Sequence, residues 1–387
     1  MTIQNGYVEL ALRLGRHVDG LVDSYYGDPA VSKRIESEPL LEPPALAGDA
    51  DRLLGELGGA DLEAQRSRWL QTQLVGLRTV AGKLAGEELP YSDEVERCYG
   101  VRPGHTPEEE LEEAHGLLDA ALPPGGSLAE RYQAWREGTP IPTEHLEPLL
   151  NEISDDLRAR TAELVGLPEG ESAVIELVSD EPWAAYNYYE GGLRSRVAVN
   201  ADIPMAPNFI TELMAHELYP GHQTEHCWKE QVLYRDRGYA ETGILMIGTP
   251  ESLIAEGIAE LAVEMLLEDE DEFTAQHLAQ KGIAYDAGLA RAVRGARRAL
   301  AGVSGNVALR LYEGDASEDD ALQYLRHWAL MSDRRASQAL RFITDPIWRS
   351  YVTTYADGYR VCRNWVADDP ARFKRLLTEQ LTPSDLV

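Results

Sequence analysis

Apolar residues recur at three- and four-residue intervals along most of the chain, the spacing that gathers them on one face of an α-helix. Leu70, Leu74, Leu77, Val80 and Leu84 predict one such helix over about 62–85. Thr106-Pro107-Glu108-Glu109 predicts a helix start, with Thr106 as N-cap, proline in the first turn and Glu109 closing a capping box. Ser127 and Glu130 repeat that box after the break Pro123-Pro124-Gly125-Gly126. The same periodicity predicts helices over about 144–165, 208–235, 250–268, 272–303, 319–340 and 346–366.

One region carries strand signals instead. Ala173–Val178 is rich in β-branched residues, and Arg194–Asn200 alternates with period two. Between them lie Trp183–Tyr189 and the turn Glu190-Gly191-Gly192, so a small antiparallel sheet is expected just before the 208–235 helix. The expected fold class is therefore mainly α. The Pro/Gly break divides the chain into an N-terminal helical region, 1–122, and a second region, 127–387, unless both belong to one continuous domain.

Composition narrows the function classes. The 387 residues carry 36 Lys+Arg against 66 Asp+Glu, a net charge of −30 that repels phosphate backbones and anionic lipid. Nucleic acid and membrane are therefore not expected partners, and the sequence does not speak to oligomeric state. Neither a signal-peptide pattern nor an 18-residue apolar run is present in the sequence. Cys98, Cys227 and Cys362 form no paired motif, which fits a reducing compartment. The expected location is cytoplasmic.

The chemistry concentrates at His216-Glu217-Leu218-Tyr219-Pro220-Gly221-His222. Two His on one helix face with an adjacent Glu is the pattern of zinc hydrolases, which ordinarily use four-residue spacing. His216 and His222 are six apart, roughly 120° out of phase on an unbroken helix. Pro220 and Gly221 supply an interruption that would bring His222 back over His216. A second registration, His222-Gln223-Thr224-Glu225-His226, has the ideal spacing with Glu225 as base. His222 is common to both. Glu256, Glu260 and Glu264 form a stripe on the next predicted helix, with Glu256 the candidate third ligand and Glu260 a carboxylate for a ligand His. Without the motif, that stripe reads as a solvated acidic face.

These residues resemble a bacterial family of unknown function, regarded as zinc metallopeptidases related to the gluzincins. Its signature is His-Glu-x-x-Pro-Gly-His followed by Glu-Gly-x-Ala, matched by His216–His222 and Glu256-Gly257-Ile258-Ala259. Tyr355-Ala356-Asp357-Gly358 is similar to its C-terminal Tyr-x-x-Gly. Dipeptidyl peptidase III, whose motif is also lengthened, is a parallel. The resemblance runs from about Tyr186 to Tyr359. It implies a gluzincin-like fold, zinc held by His216, His222 and Glu256, Glu217 as general base, and His226 outside the ligand set. Gln223 and Ile258 depart from the family, which usually has His and Trp there, and the chain is shorter than most members.

Other groups would complete such a site. Tyr355 is the first candidate to donate to an oxyanion, flanked by Tyr351 and Tyr359. Arg194–Asn200 is expected to offer a sheet edge to an extended peptide, with Asn187, Tyr188, Arg194 and Arg196 as substrate contacts. The implied activity is cleavage of a peptide or peptide-like amide by zinc-activated water. Hydrolysis of a non-peptide small molecule and a non-catalytic binding role are the alternatives.

Overall fold

The computed structural model describes residues 2–181 and 183–387. It is mainly helical. Helices α1 (Ile3–Gly15), α2 (Pro29–Ser37), α3 (Pro43–Leu57), α4 (Ala64–Leu84), α5 (Tyr91–Tyr99) and α6 (Glu108–Ala121) make up the first part, with strand β1 (Val22–Tyr25) after α1. Helices α7 (Leu128–Glu137) and α8 (Thr143–Leu164) lead into β2 (Ser172–Val178), β3 (Ala185–Tyr189) and β4 (Arg194–Asn200). The motif region follows as α9 (Ile210–Glu217), α10 (His222–Lys229), β5 (Ile244–Met246) and α11 (Pro250–Leu266). Helices α12 (Glu270–Gln280), α13 (Ala287–Arg297), α14 (Val303–Tyr312), α15 (Glu318–Trp328), α16 (Asp333–Thr344), α17 (Thr354–Val366) and α18 (Pro370–Thr378) complete the chain.

Several sequence expectations change. The helix start near Thr106 is one: Pro107 is the N-cap without a side-chain hydrogen bond, and the Thr106 amide instead donates to Asn306 Oδ1. The capping box at Ser127 and Glu130 is present. The expected 272–303 helix divides after Gln280, where Gly282 adopts φ +70°, and 319–340 divides where Leu330 adopts φ +52°. The sheet is mixed rather than antiparallel, since β2 pairs parallel to β4 and only β3 pairs antiparallel. Its order β2-β4-β3 puts Arg194–Asn200 in the centre, so that strand offers no edge. A second sheet, β1 with β5, joins positions 22–25 to 244–246.

The larger apolar core draws on residues from Ile3 to Leu386, on both sides of the Pro123–Gly126 loop. A second core seats the motif helix: Ile153 and Leu157 of α8, Val197 and Val199 of β4, and Ile210, Met214 and Ala215 of α9 are all fully enclosed. Each such large side chain contributes about 1.5–3 kcal/mol, so α9 is fixed along one face. No helix among the described residues is long and apolar enough to cross a membrane.

Candidate metal centre

The expected 208–235 helix is broken in the segment that holds Pro220 and Gly221. Helix α9 ends at Glu217 and α10 begins at His222, with a cis peptide bond between Tyr219 and Pro220. The Gly221 amide donates to Ala215 O at 2.9 Å, six residues back instead of four. A Cβ at Gly221 would lie 2.0 Å from His216 O and 2.4 Å from Ala215 O, so only glycine fits. The break absorbs the phase difference. The imidazoles of His216 and His222 stand edge to face with centroids 4.8 Å apart.

Glu256 arrives from α11. Gly257 makes this possible, because its added Cβ would meet Gly358 O of α17 at 2.4 Å, and the two helix backbones touch there. That contact also brings the tyrosines of the last segment over Glu256, and Tyr351 Oη donates to Glu256 Oε1 at 2.6 Å. Glu256 Oε1 lies 3.9 Å from His222 Nε2, and Oε2 lies 3.8 Å from His216 Nε2. Donor atoms of His216, His222 and Glu256 all fall within 4.8 Å of one another. Glu256 Oε2 is buried and accepts no hydrogen bond among the described residues.

Around this trio sit further carboxylates. Glu260 Oε1 is 3.7 Å from His216 Nδ1, and Glu225 Oε2 is 3.9 Å from His222 Nδ1. Glu225 is held in turn by Lys229, whose Nζ donates to Glu225 Oε1 at 2.6 Å and also bonds Glu251. Burial would raise Glu225, but Lys229 and His222 outweigh it and bring its carboxyl down to about 2. Burial pushes Glu217 up to about 7, with Glu256 and Asp23 adding to the rise and His222 opposing it. The same burial raises Glu260 to about 7, helped by Glu212 and Glu256. Burial works against a charged His222, yet Glu225, Glu256 and Glu217 lift it to about 10.

The other sequence candidates divide. Asn187 faces the site, its Nδ2 donating to the Glu217 carbonyl at 2.5 Å while its buried Oδ1 has no partner among the described residues. Tyr355 keeps 38% of its surface exposed and packs edge-on against Tyr351. Its hydroxyl stays protonated well past the usual range, because burial and then Glu256, Glu260 and Glu217 disfavour a phenolate. His226 stacks on Tyr189 at 4.6 Å and has Asp23 at 4.0 Å, so it lies beside the trio. Glu264 is taken up by Arg298 and Arg363. Tyr188, Arg194 and Arg196 do not join the cluster. Strand alternation puts them on the sheet face opposite Asn187 and Ser195, and Ser195 bonds Gln223 of α10. Arg196 lies over the Tyr188 ring and pairs with Glu176 and Glu190, which leaves it no role at the metal trio.

Three neighbours escaped the sequence reading. Tyr351 was expected only as a flank of Tyr355, Glu225 only as a base in the competing registration, and Asp23 not at all. Asp23 accepts from Tyr186 at 2.8 Å. It reaches the site on β1, whose partner strand is more than two hundred positions away, so no local signal marks it.

No family model and no curated protein matches the chain. Several solved structures are similar, among them two bacterial proteins. One is a provisionally assigned lipoprotein from Colwellia psychrerythraea, 16% identical, with TM-score 0.52 over 92% of this chain and 57% of that one. The other is a provisionally assigned lipoprotein of unknown function from Shewanella oneidensis, 13% identical, with TM-score 0.50 over 88% of this chain and 69% of that one. The chain thus spans little more than half of the Colwellia protein. What it shares with them is the fold.

Proposed function

We propose that the chain is a zinc-dependent hydrolase of peptide or peptide-like amide bonds, a gluzincin-like metallopeptidase with His216, His222 and Glu256 as ligands. One observation carries the reading: two imidazoles and a buried carboxylate converge, and among the described residues Glu256 Oε2 is left without a hydrogen bond. Leaving such an oxygen unpaired in the interior is costly. Ligand atoms around a tetrahedral zinc lie about 3.3 Å apart, close to the 3.8 and 3.9 Å imidazole–carboxylate separations. Nitrogen and carboxylate donors suit that ion. The orientation of His216 toward His222, with His226 stacked aside on Tyr189, favours this registration over His222/His226.

Bound zinc supplies an acidified water and polarises the substrate carbonyl. Glu217, lifted toward neutrality by burial, is matched to taking a proton from water and returning it to the leaving nitrogen. The protonated hydroxyl of Tyr355 donates to the developing oxyanion. Glu260 and Glu225 orient the two imidazoles from behind. Strand β3 is an edge strand that lies beside the motif helix, and its Asn187 positions Glu217 through the backbone carbonyl. A cytoplasmic setting is supported by three buried, unpaired cysteines. The lipoprotein assignment of the structural neighbours is the competing setting, and recovery of the chain with cell membranes would favour it.

The reading is tested with Glu217→Gln. Zinc content and thermal melting should stay at wild-type values while hydrolysis of a peptide library falls at least about a thousandfold. Wild-type turnover by the variant would remove Glu217 from the mechanism.

A further inference from the structure

A carboxylate can hold a metal through one oxygen or through both, and a hydrolytic zinc keeps a coordination position open for water. Distances alone do not decide how Glu256 would bind, because Oε1 lies 3.9 Å from His222 Nε2 and Oε2 lies 3.8 Å from His216 Nε2. Hydrogen bonding separates the two oxygens. Oε1 accepts from Tyr351 Oη at 2.6 Å, whereas the buried Oε2 accepts from no group among the described residues. A phenol bonded to an ionised carboxylate makes a short, strong bond that occupies the oxygen it touches. An unpaired buried oxygen stays costly until a cation or a donor meets it.

Tyr351 is fixed in place for that bond. It opens the single 3₁₀ turn Tyr351–Thr353 ahead of α17, where its amide donates to Trp348 O at 2.9 Å and its carbonyl accepts from Thr354 Oγ1 at 2.7 Å. The ring is buried, with Tyr99 at 6.4 Å, Phe342 and Trp348 at 6.3 Å and Tyr355 at 5.6 Å between centroids. Aromatic neighbours on several sides restrict the ring's rotamers, so little further ordering is needed to keep the hydroxyl at Oε1. The acceptor is fixed as well. Gly257, next to Glu256, and Gly358 bring α11 and α17 into backbone contact, and a Cβ at Gly358 would lie 2.5 Å from Leu253 O.

We infer that Tyr351 is a positioning residue: by reserving Oε1 it leaves Glu256 to ligate through Oε2 alone, which keeps one position of the metal open to water or to a substrate carbonyl. Without the phenol hydroxyl, Oε1 is left buried and unpaired beside His222, and joining the metal is the nearest way to satisfy it. The open position would then be contested by the protein's own carboxylate. The inference rests on the metal trio of the hydrolase reading and adds which oxygen of Glu256 serves it.

Full-length wild type, Tyr351→Phe and Phe342→Leu are loaded with cobalt(II), whose visible absorption band weakens as its coordination number rises. Tyr351→Phe keeps the ring and loses only the hydroxyl, whereas Phe342→Leu disturbs the packing of Tyr351 without removing its bond to Glu256. All three should take up one cobalt per chain. Band intensity should fall at least about twofold in Tyr351→Phe as Oε1 enters the coordination shell, and stay at the wild-type level in Phe342→Leu. Crystals of zinc-loaded protein should show Oε2 alone at about 2.0–2.2 Å from the ion in the wild type, and both oxygens bound in Tyr351→Phe. An unchanged band in Tyr351→Phe, an equal loss in Phe342→Leu, a wild type or variant that takes up no cobalt, or both oxygens on zinc in the wild type would overturn the inference. Because no turnover is read, a wild type that shows the contrast yet cleaves no peptide refutes the hydrolase alone. One that cleaves peptide without the contrast refutes this inference alone.

Discussion

Buried acids decide much about this molecule, and they do so by different means. Glu94 has no exposed side-chain surface and is bracketed by Lys83 at 2.5 Å and by Arg349 at 2.5 Å. Burial raises its carboxyl, but the two cations outweigh it and hold Glu94 below the ordinary value. A carboxylate whose folded pKa is depressed contributes stability above its unfolded pKa of about 4.3 and loses it as pH falls toward the folded value. Urea unfolding between pH 7 and pH 3 should therefore show wild-type stability declining below about pH 4.3. Glu94→Gln should cost about 3–5 kcal/mol at pH 7, since two buried cations lose their partner, and its profile should be flatter through that window. An equal slope in both proteins would contradict the assignment. At this scale the clustered trio was legible, because His216-Glu217 and His222 share one short motif and Glu256 sits in a helical stripe. Asp23 was not, since nothing adjacent in sequence reports a strand that pairs more than two hundred positions away. Arg194 and Arg196 were misplaced for a related reason: alternation fixes which residues share a face but not which face meets the helix.

Among elements, the interruption between α9 and α10 was foreseeable from Pro220 and Gly221, and the six-residue His spacing gave it a purpose. Gly221→Ala tests it. With the new Cβ placed 2.0 Å from His216 O, either α9 or α10 must shift. The variant should lose at least about 2 kcal/mol of stability and bind zinc at least tenfold more weakly, read by urea melts and chelator competition. Wild-type behaviour in both would mean that the backbone reversal is not what brings the imidazoles together. The contact of α11 with α17 at Gly257 and Gly358 was only half visible. Gly257 beside Glu256 announced crowding, but the partner backbone lies a hundred residues on. The mixed sheet escaped for the same reason. A parallel β2–β4 pairing leaves no turn signal, and the intervening β3 imitates a meander.

On the scale of the whole molecule, the long-range ties explain why so much sequence surrounds so small a site. Arg66 of α4 bonds Glu241 at 2.6 Å, and Gln380 near the C-terminus bonds the same carboxylate at 3.1 Å. Lys83, Glu94 and Arg349 likewise join early helices to the segment carrying Tyr351. Mainly helical architecture could be read from periodicity alone, but the helices before position 60 carry short, Pro- and Gly-interrupted patterns that periodicity did not resolve. The central claim is that this framework exists to hold zinc between His216, His222 and Glu256. Its most direct test is the zinc-binding isotherm of the wild-type chain beside those of His216→Ala and His226→Ala. The wild type should take up one zinc per chain, His216→Ala should lose at least about two orders of magnitude in affinity, and His226→Ala should lose no more than the 10–100-fold typical of an outer contact. Tight zinc binding by His216→Ala with loss in His226→Ala, or no zinc binding by the wild type, would contradict it.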